Sequence, residues 1–128
     1  MTGTRTVLIT GAGGQVGREA TVRFDAAGWR VVAHDRSSLD ITDRADVLAA
    51  VEAAAPHAVV NLAAWNAVDL AETEVDAAYA VNGLAVRHLV HASRRVGARL
   101  CHVSTDYVFD GTKVGPYVEW DRTNPQSA

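Results

Sequence analysis

The sequence of 128 residues contains one cysteine, three prolines and no long apolar run. Cys101 has no second cysteine with which to form an internal disulfide. Its place in an apolar stretch predicts a small core residue in a reducing compartment. No stretch approaches the roughly 20 apolar residues of a membrane span, and no apolar signal stretch opens the chain. We therefore expect a cytoplasmic protein that has no membrane partner.

Several function classes are excluded by what the chain lacks. Its formal net charge is −3 and it has no basic cluster, so nucleic acid is not an expected partner. No G-x-x-x-x-G-K-[ST] sequence occurs, which excludes a P-loop, and no G-x-S-x-G elbow of a serine hydrolase is present. His88 and His91 lie three apart on a predicted helix, but no carboxylate or cysteine completes a ligand set, so we expect no metal site.

The residues that are present alternate between strand and helix patterns, and the length fits one domain. This alternation predicts an α/β fold, a Rossmann-type doubly wound parallel sheet with helices on both faces. The predicted strands are residues 5–10, 29–34, 58–62 and 99–104. Three helices are predicted. The first starts near Gln15 and has Val16 on its inner face, and the second starts at a cap formed by Thr42 or Asp43. The third runs from about residue 74 to residue 96. From Thr105 onward we predict a loop.

A glycine-rich turn follows the first strand, with Gly11, Gly14 and Gly17 at its turning points. Glycines there allow a sharp turn, close approach of a ligand and tight packing of the next helix. The helix N-terminus then presents N–H groups and the positive end of its dipole, which suit a pyrophosphate. An ordinary strand–helix turn is the alternative, but the strand before and the helix after both favour dinucleotide binding.

The ends of the second and third strands supply further candidates. Asp35 can hydrogen-bond the ribose 2′-hydroxyl of NAD, whereas neighbouring Arg36 can accommodate the 2′-phosphate of NADP, so both cofactors stay open and NAD is slightly favoured. Asp40 and Ile41 can meet an adenine, or they can be a turn residue and a hydrophobic staple. Asn61 either faces a ligand or ties neighbouring strands together.

Small side chains and a hydroxyl mark the ends of the third and fourth strands. Ala63 and Ala64 permit close approach to a flat ligand. Ser104 and Thr105 can polarise a substrate carbonyl, or they can simply cap the turn that follows. Asp110-Gly111 is first of all a turn signal.

With these residues in view, the chain resembles the extended short-chain dehydrogenase/reductases. Within them, it is most similar to the dTDP-4-dehydrorhamnose reductase family. The most particular match is Ser-Thr-Asp-Tyr-Val-Phe-Asp-Gly at residues 104–111. The resemblance covers essentially the whole chain, and its other matching segments are residues 11–17, 39–43, 61–64, 67–69, 79–82, 116–117 and 124–125.

The resemblance implies an NADP- or NAD-dependent reduction of dTDP-4-dehydro-L-rhamnose to dTDP-L-rhamnose. It implies that Thr105 supplies the catalytic hydroxyl and that Asp106 touches the sugar-nucleotide substrate. Trp65 and Asn66 depart from the residues usual in the family, which puts the pocket shape there in doubt. The implied cofactor-binding residues are Gly11, Gly14, Gln15, Val16, Gly17, Asp35, Arg36, Asp40, Ile41, Ala63, Ala64, Trp65 and Val103.

The family's Tyr-x-x-x-Lys pair is missing from this sequence. Tyr79, Tyr107 and Tyr117 are not followed by lysine four positions later, and the one lysine is Lys113. In the family the pair comes almost directly after the segment that matches Asn124-Pro125. We therefore expect residues 1–128 to be an NAD(P)-binding Rossmann domain, truncated before the pair and the substrate-binding region and inactive alone.

Two other functions fit the same residues. One is a non-catalytic nucleotide-binding or regulatory subunit that kept the fold. The other is a different sugar-nucleotide epimerase or dehydratase, against which residues 107–111 argue. In the 128-residue chain the apolar stretch from Leu100 to Val103 would form a strand edge that is unpaired or thinly covered, so we expect dimerisation (a homodimer) or aggregation unless further strands cover it.

Overall fold

The computed structural model describes residues 3–127 and is built on one sheet of four parallel strands. The strands are β1 (Thr6–Thr10), β2 (Arg30–His34), β3 (Ala58–Asn61) and β4 (Arg99–His102). Their order is β2-β1-β3-β4, so the chain crosses from one side of β1 to the other after β2. The carboxyl ends of β1 and β3 therefore flank a switch point, where open α/β sheets bind ligands.

Helices lie on both faces of this sheet. On one face, α1 (Gln15–Ala26) contacts β1 and β2. Beyond β2 the chain forms α2 (Arg44–Ala54), and beyond β3 it forms the short helices α3 (Val68–Ala71) and α4 (Val75–Tyr79). A π-helical turn, Ala80–Leu84, leads from α4 into α5 (Ala85–Val96). Because α2 and α5 pack on each other and on the face away from α1, the predicted doubly wound Rossmann-type sheet is confirmed.

The core lies between the sheet and the α2–α5 pair. Leu8 of β1 and Val59 of β3 are fully buried against Val47, Val51 and Leu89 from the two helices. The N-cap of α2 is Asp43, whose Oδ1 accepts hydrogen bonds from the N–H groups of the second and third residues after it (2.8 and 3.0 Å). This interaction fixes where the helix begins, and the second of the two predicted caps is the one that forms.

Two elements differ in extent from their predicted bounds. The helix expected over residues 74–96 is interrupted by the π-turn, which adds a residue to one turn and leaves no trace in the apolar spacing. The fourth strand ends at His102 instead of residue 104, because its partner β3 ends at Asn61, directly opposite His102.

Two residues expected in the core are exposed. Val16 is 62% exposed, because α1 begins so close to the glycine turn that its buried residue is Gly17. Cys101 is exposed as well, since it points away from Leu100 and the α5 face, toward the side of β4 that no described helix covers. Cys101 is thus not the small core residue that the apolar stretch predicted.

The chain after β4 is irregular, as predicted, but it is held together by the carboxylate of Asp110. Its Oδ1 accepts from the N–H and hydroxyl of Thr112 (3.0 and 2.7 Å) and from the Tyr117 hydroxyl (3.2 Å). Its Oδ2 accepts from Nδ2 of Asn124 (3.0 Å), and the Phe109 ring stacks on Tyr117 at 4.1 Å. The matching residues of this segment therefore bind one another and fold the segment back on itself.

Candidate functional site

The glycine turn lies against the backbone that leaves β3. Gly11 has φ +71°, and a Cβ built on it would lie 2.5 Å from the Ala63 nitrogen and 2.6 Å from the Leu62 carbonyl carbon. A Cβ on Gly17 would collide with the Gly11 carbonyl oxygen and lie 2.6 Å from the Ala12 Cα. The turn, the start of α1 and the exit of β3 thus meet backbone to backbone, and no side chain fills the space.

The turn also leaves the first N–H groups of α1 open. Its N-cap, Gly14, offers no side-chain hydrogen bond, and its N–H donates to the Gly11 carbonyl (3.1 Å). The first N–H groups of an α-helix have no acceptor within the helix, and the helix dipole adds partial positive charge there. Gln15 and Val16 are exposed at this end. This geometry suits a phosphate group.

On the other side of the turn lies the end of β2. The Ala12 N–H donates to the His34 carbonyl (2.9 Å), and a Cβ on Gly13 would lie 3.3 Å from the Asp35 Cβ. Asp35 is exposed, and its Oδ1 accepts from the hydroxyl of Ser37 (2.7 Å) and the N–H of Ser38 (3.1 Å). The hydroxyl of Ser37, followed by the backbone of Ser38, lowers the pKa of Asp35, so its carboxylate is ionised at neutral pH.

Asp40 takes the turn arrangement, whereas the staple considered for Ile41 belonged to a cap at Thr42, and the cap that forms is Asp43. Asp40 Oδ1 accepts from the hydroxyl and N–H of Thr42 (2.7 and 2.9 Å). These bonds, and to a smaller extent the charge of Arg36, lower the pKa of Asp40. Ile41 is 6% exposed and belongs to the core, so the expected packing of its side chain on an adenine has little surface available. The exposed groups here are the carboxylate of Asp40 and the guanidinium of Arg36.

Asn61 ties three strands together at the floor of this region. Its Oδ1 accepts from the buried Thr10 hydroxyl (2.6 Å) and from the Ala63 N–H (3.2 Å). Its Nδ2 lies 3.0 Å from Nδ1 of His102, which must accept for a hydrogen bond to form. Of the two roles considered for Asn61, the structure shows the strand-tying one. Ala64 and Val103 remain exposed above it, on the exits of β3 and β4.

Thr105 and Asp106 follow β4 and are both exposed. Thr105 is the N-cap of a 3₁₀ turn, Asp106–Val108: its Oγ1 accepts from the Tyr107 N–H (3.2 Å) and donates to Asp106 Oδ1 (3.3 Å). The capping role considered for this hydroxyl is therefore present. The hydroxyl stays accessible at the same edge of the sheet as the glycine turn.

Other candidate groups are engaged elsewhere. Nδ1 of His88 lies 3.3 Å from the Ile41 carbonyl and Nδ1 of His91 lies 3.3 Å from Arg44, so the two rings serve different contacts. Across residues 3–127 no cluster of three metal-ligating side chains occurs. Lys113 pairs with Asp121 at 2.5 Å, within the segment that follows β4.

One residue of the site was not singled out as a candidate from the sequence. Asn82, in the π-turn, holds both backbone polar groups of Trp65 through its side-chain amide. The sequence feature that could have identified Asn82 is a polar residue beside the apolar face of a predicted long helix, within residues 79–82. Such a residue also suits a solvent-exposed helix face, so spacing alone could not identify it.

None of the described helices is long and apolar enough to cross a membrane. Several known proteins are similar to this chain in sequence. A reductase of Streptomyces griseus, dTDP-4-dehydrorhamnose reductase, is 52% identical over 120 residues, which are 94% of this chain and 40% of that protein. The same enzyme of Aggregatibacter actinomycetemcomitans is 46% identical, over 93% of this chain and 41% of that protein.

A crystal structure gives the same result. The dTDP-4-dehydrorhamnose reductase of Bacillus anthracis, solved in complex with NADP, superposes with a TM-score of 0.94 at 35% identity, covering 99% of this chain and 45% of that one. The chain thus spans about two fifths of the length of the curated relatives it matches. The family model described as the RmlD substrate binding domain matches residues 5–128. The resemblance read from the motifs is confirmed: the chain belongs to the RmlD substrate binding domain family.

Proposed function

We propose that residues 1–128 are the cofactor-binding part of a reductase that converts dTDP-4-dehydro-L-rhamnose into dTDP-L-rhamnose with NADPH or NADH. The observation that carries the proposal is the backbone cradle at the switch point. Gly11 and Gly17 leave no room for a Cβ, and the N-terminus of α1 opens beside them. Bare backbone at this position lets a pyrophosphate approach closely. Membership of the family and the NADP-bound relative support the same cofactor class.

The residues around the cradle divide between the two halves of the cofactor. We assign the pyrophosphate to the turn and the first residues of α1, and the adenosine half to the exits of β1 and β2. The other half then lies over the exits of β3 and β4, because a dinucleotide crosses the switch point. The residues assigned to the cofactor are Gly11, Gly14, Gln15, Val16, Gly17, Asp35, Arg36, Asp40, Ala63, Ala64, Trp65 and Val103.

The proposed reaction is shared between the cofactor and two side chains that follow β4. When bound, the reduced cofactor supplies a hydride to the carbonyl carbon of the sugar. We assign to Thr105 a hydrogen bond from its hydroxyl to the carbonyl oxygen, made after it gives up its contact with Asp106, which orients and polarises that carbonyl. Asp106 accepts hydrogen bonds from sugar hydroxyls. No residue of this sequence forms a Tyr-x-x-x-Lys pair, so these 128 residues alone have no proton donor of that kind.

The choice between the two cofactors depends on Asp35 and Arg36. The ionised Asp35 favours a free ribose 2′-hydroxyl, whereas the guanidinium of Arg36, which already acts on Asp40, can pair with a 2′-phosphate. A charge-assisted pair of that kind is worth about 1.5–3 kcal/mol, or roughly tenfold to a hundredfold in affinity. Because Asp35 is held by Ser37 and Ser38 while Arg36 stays exposed, we propose that NADPH binds more tightly than NADH.

Calorimetric titration of the 128-residue chain with NADPH and NADH tests the proposal. We expect NADPH to bind, and Arg36→Ala to weaken NADPH by about tenfold while NADH changes by less than about twofold. Arg23→Ala removes the same charge from an ion pair with Glu19 on α1 and serves as the matched control. Absence of binding by both cofactors would overturn the proposed function. An equal loss for both in Arg36→Ala would overturn the assignment of the phosphate.

A further inference from the structure

Three polar side chains lie side by side where β1, β3 and β4 end. Thr10 pairs with Asn61, and Asn61 pairs with His102, in the register of the sheet, so all three project from the same face. Thr10 is 1% exposed and Asn61 is fully buried, whereas His102 at the open edge is exposed. A continuous row of hydrogen bonds therefore runs from the buried centre of the sheet to its surface at β4.

Only one group that contacts this row has a fixed hydrogen-bonding role. A hydroxyl donates or accepts, a neutral imidazole nitrogen does either according to its tautomer, and an amide can present either end. The N–H of Ala63 only donates, and its nitrogen lies 3.2 Å from Oδ1 of Asn61. The backbone of Ala63 therefore sets which end of the Asn61 amide is the oxygen, and the Thr10 hydroxyl donates to that same oxygen (2.6 Å).

The orientation of the Asn61 amide determines where His102 carries its proton. Because Oδ1 faces Ala63, Nδ2 faces His102, and Nδ2 and the ring Nδ1 lie 3.0 Å apart. Nδ2 is a donor, so Nδ1 of His102 has to accept, which leaves the proton of the neutral ring on Nε2. An exposed side chain on β4 is thus held in one tautomer by a backbone N–H of the chain that leaves β3.

This N–H belongs to the nitrogen that lies against the glycine turn. A Cβ on Gly11 would lie 2.5 Å from the Ala63 nitrogen, so the hydrogen bond from Ala63 to Asn61 fixes the backbone where the cradle closes. If His102 no longer accepts, Nδ2 of Asn61 becomes a buried donor without that partner. A buried unpaired donor is costly, so the amide turns toward another partner and gives up its contacts with Thr10 and Ala63.

We propose that His102 is a positioning residue: as the acceptor at the end of this row, it keeps the Asn61 amide in place and so holds Ala63 against the glycine turn. The part of the inference that concerns the cofactor rests on the proposed function, since the turn is assigned to the pyrophosphate. The role requires only an acceptor at the Nδ1 position. Asparagine places its side-chain oxygen there, whereas glutamine places its amide near the Nε2 position.

The experiment compares His102→Asn with His102→Gln in the 128-residue chain. In His102→Gln we expect the Ala63 amide to exchange about fivefold faster, as after the loss of one ordinary hydrogen bond, and the Kd for NADPH to rise by about as much. His102→Asn should stay within about twofold of the unsubstituted chain in both measurements. His91→Gln makes the same change at an exposed histidine whose Nδ1 lies 3.3 Å from Arg44, and it is the matched control.

The nitrogen chemical shifts of the neutral His102 ring supply a third readout, because they distinguish the two tautomers. We expect the proton on Nε2. A proton on Nδ1, equal effects of the two His102 substitutions, or unchanged exchange of the Ala63 amide in His102→Gln would each overturn the positioning role. If the unsubstituted chain does not bind NADPH, the proposed function fails, and the exchange and tautomer measurements still decide the role of His102. If it binds NADPH and His102→Gln binds it as tightly, the inference alone fails.

Discussion

Replacing Gly11 by alanine tests the central claim that the cradle is formed by backbone alone. Two separate costs apply at this position. Its φ of +71° lies in the left-handed region, which costs an L-residue about 1–2 kcal/mol. The added Cβ would also lie 2.5 Å from the Ala63 nitrogen, and relieving such an overlap in packed structure costs about 1–3 kcal/mol. Together, we expect Gly11→Ala to lower the free energy of unfolding by about 2–5 kcal/mol.

The chain offers controls that separate the two costs. Gly28 has φ +78° and nothing within 4 Å of its Cβ position, so Gly28→Ala carries the backbone cost alone. Gly17 is helical and buried against the Gly11 carbonyl, so Gly17→Ala carries the overlap alone, reduced by about 1 kcal/mol through the better helix propensity of alanine. The loss of unfolded-chain entropy on replacing glycine is shared by all three variants and cancels between them.

Urea unfolding followed by circular dichroism gives the comparison directly. With a slope of about 2 kcal/mol per molar, the midpoint of Gly11→Ala should fall by about 1–2.5 M, and that of Gly28→Ala by about half as much or less. The reasoning is refuted if Gly11→Ala is no less stable than Gly28→Ala, because the close approach of residues 62–63 would then not exist. At a stability typical of small domains, about 5–15 kcal/mol, the variant still folds, and its NADPH binding can be measured and should be lost.

Three further expectations concern other parts of the chain. Hydrogen bonds, first of all from Asn124, hold the pKa of Asp110 far below its usual value. The stability that its carboxylate contributes is therefore present above the unfolded pKa of about 4 and is lost as pH falls below that value. The difference in unfolding midpoint between the chain and Asp110→Asn should shrink from about pH 7 to about pH 3, and a constant difference would contradict this. The open edge at β4 should cause the chain to self-associate under reducing conditions, as measured by sedimentation at rising concentration. Cys101→Lys should reduce this self-association, and Val22→Lys on α1 should not. A chain that stays monomeric at every concentration would contradict the expectation. The 128-residue chain with NADPH and dTDP-4-dehydro-L-rhamnose should show no oxidation of cofactor at 340 nm; measurable turnover would show that a Tyr-x-x-x-Lys pair is not required.

The sequence predicted the structure best where a feature depends only on neighbouring residues along the chain. The alternation of strands and helices, the α2 cap and the glycine turn all follow from local rules, and each is present in the structure. Features set by tertiary packing were not predictable in the same way. The π-turn depends on the contact between Asn82 and Trp65, and the apolar stripe along the helix reads the same with or without it.

The exposure of individual residues was equally dependent on context. An apolar residue in a strand is buried only where a helix covers it, so Cys101 is exposed although its neighbour Leu100 packs on the core. The motif of residues 104–111 lies within the stretch that the family model matches. Its Asp110, however, organises the segment from within, and only the coordinates show that Tyr117 and Asn124 converge on it.

The backbone cradle also determines which parts of this site evolution can change. Where Gly11 meets residues 62–63 and Gly17 meets residues 11–12, every larger side chain is excluded by backbone atoms that all amino acids share, so no compensating substitution nearby can restore the room. Under the proposed function, divergence in ligand preference has to occur at the rim, where Asp35, Arg36 and Trp65 contribute side chains. A search for altered cofactor use should therefore randomise the rim and leave the cradle untouched, since variation in the cradle yields only non-binding proteins.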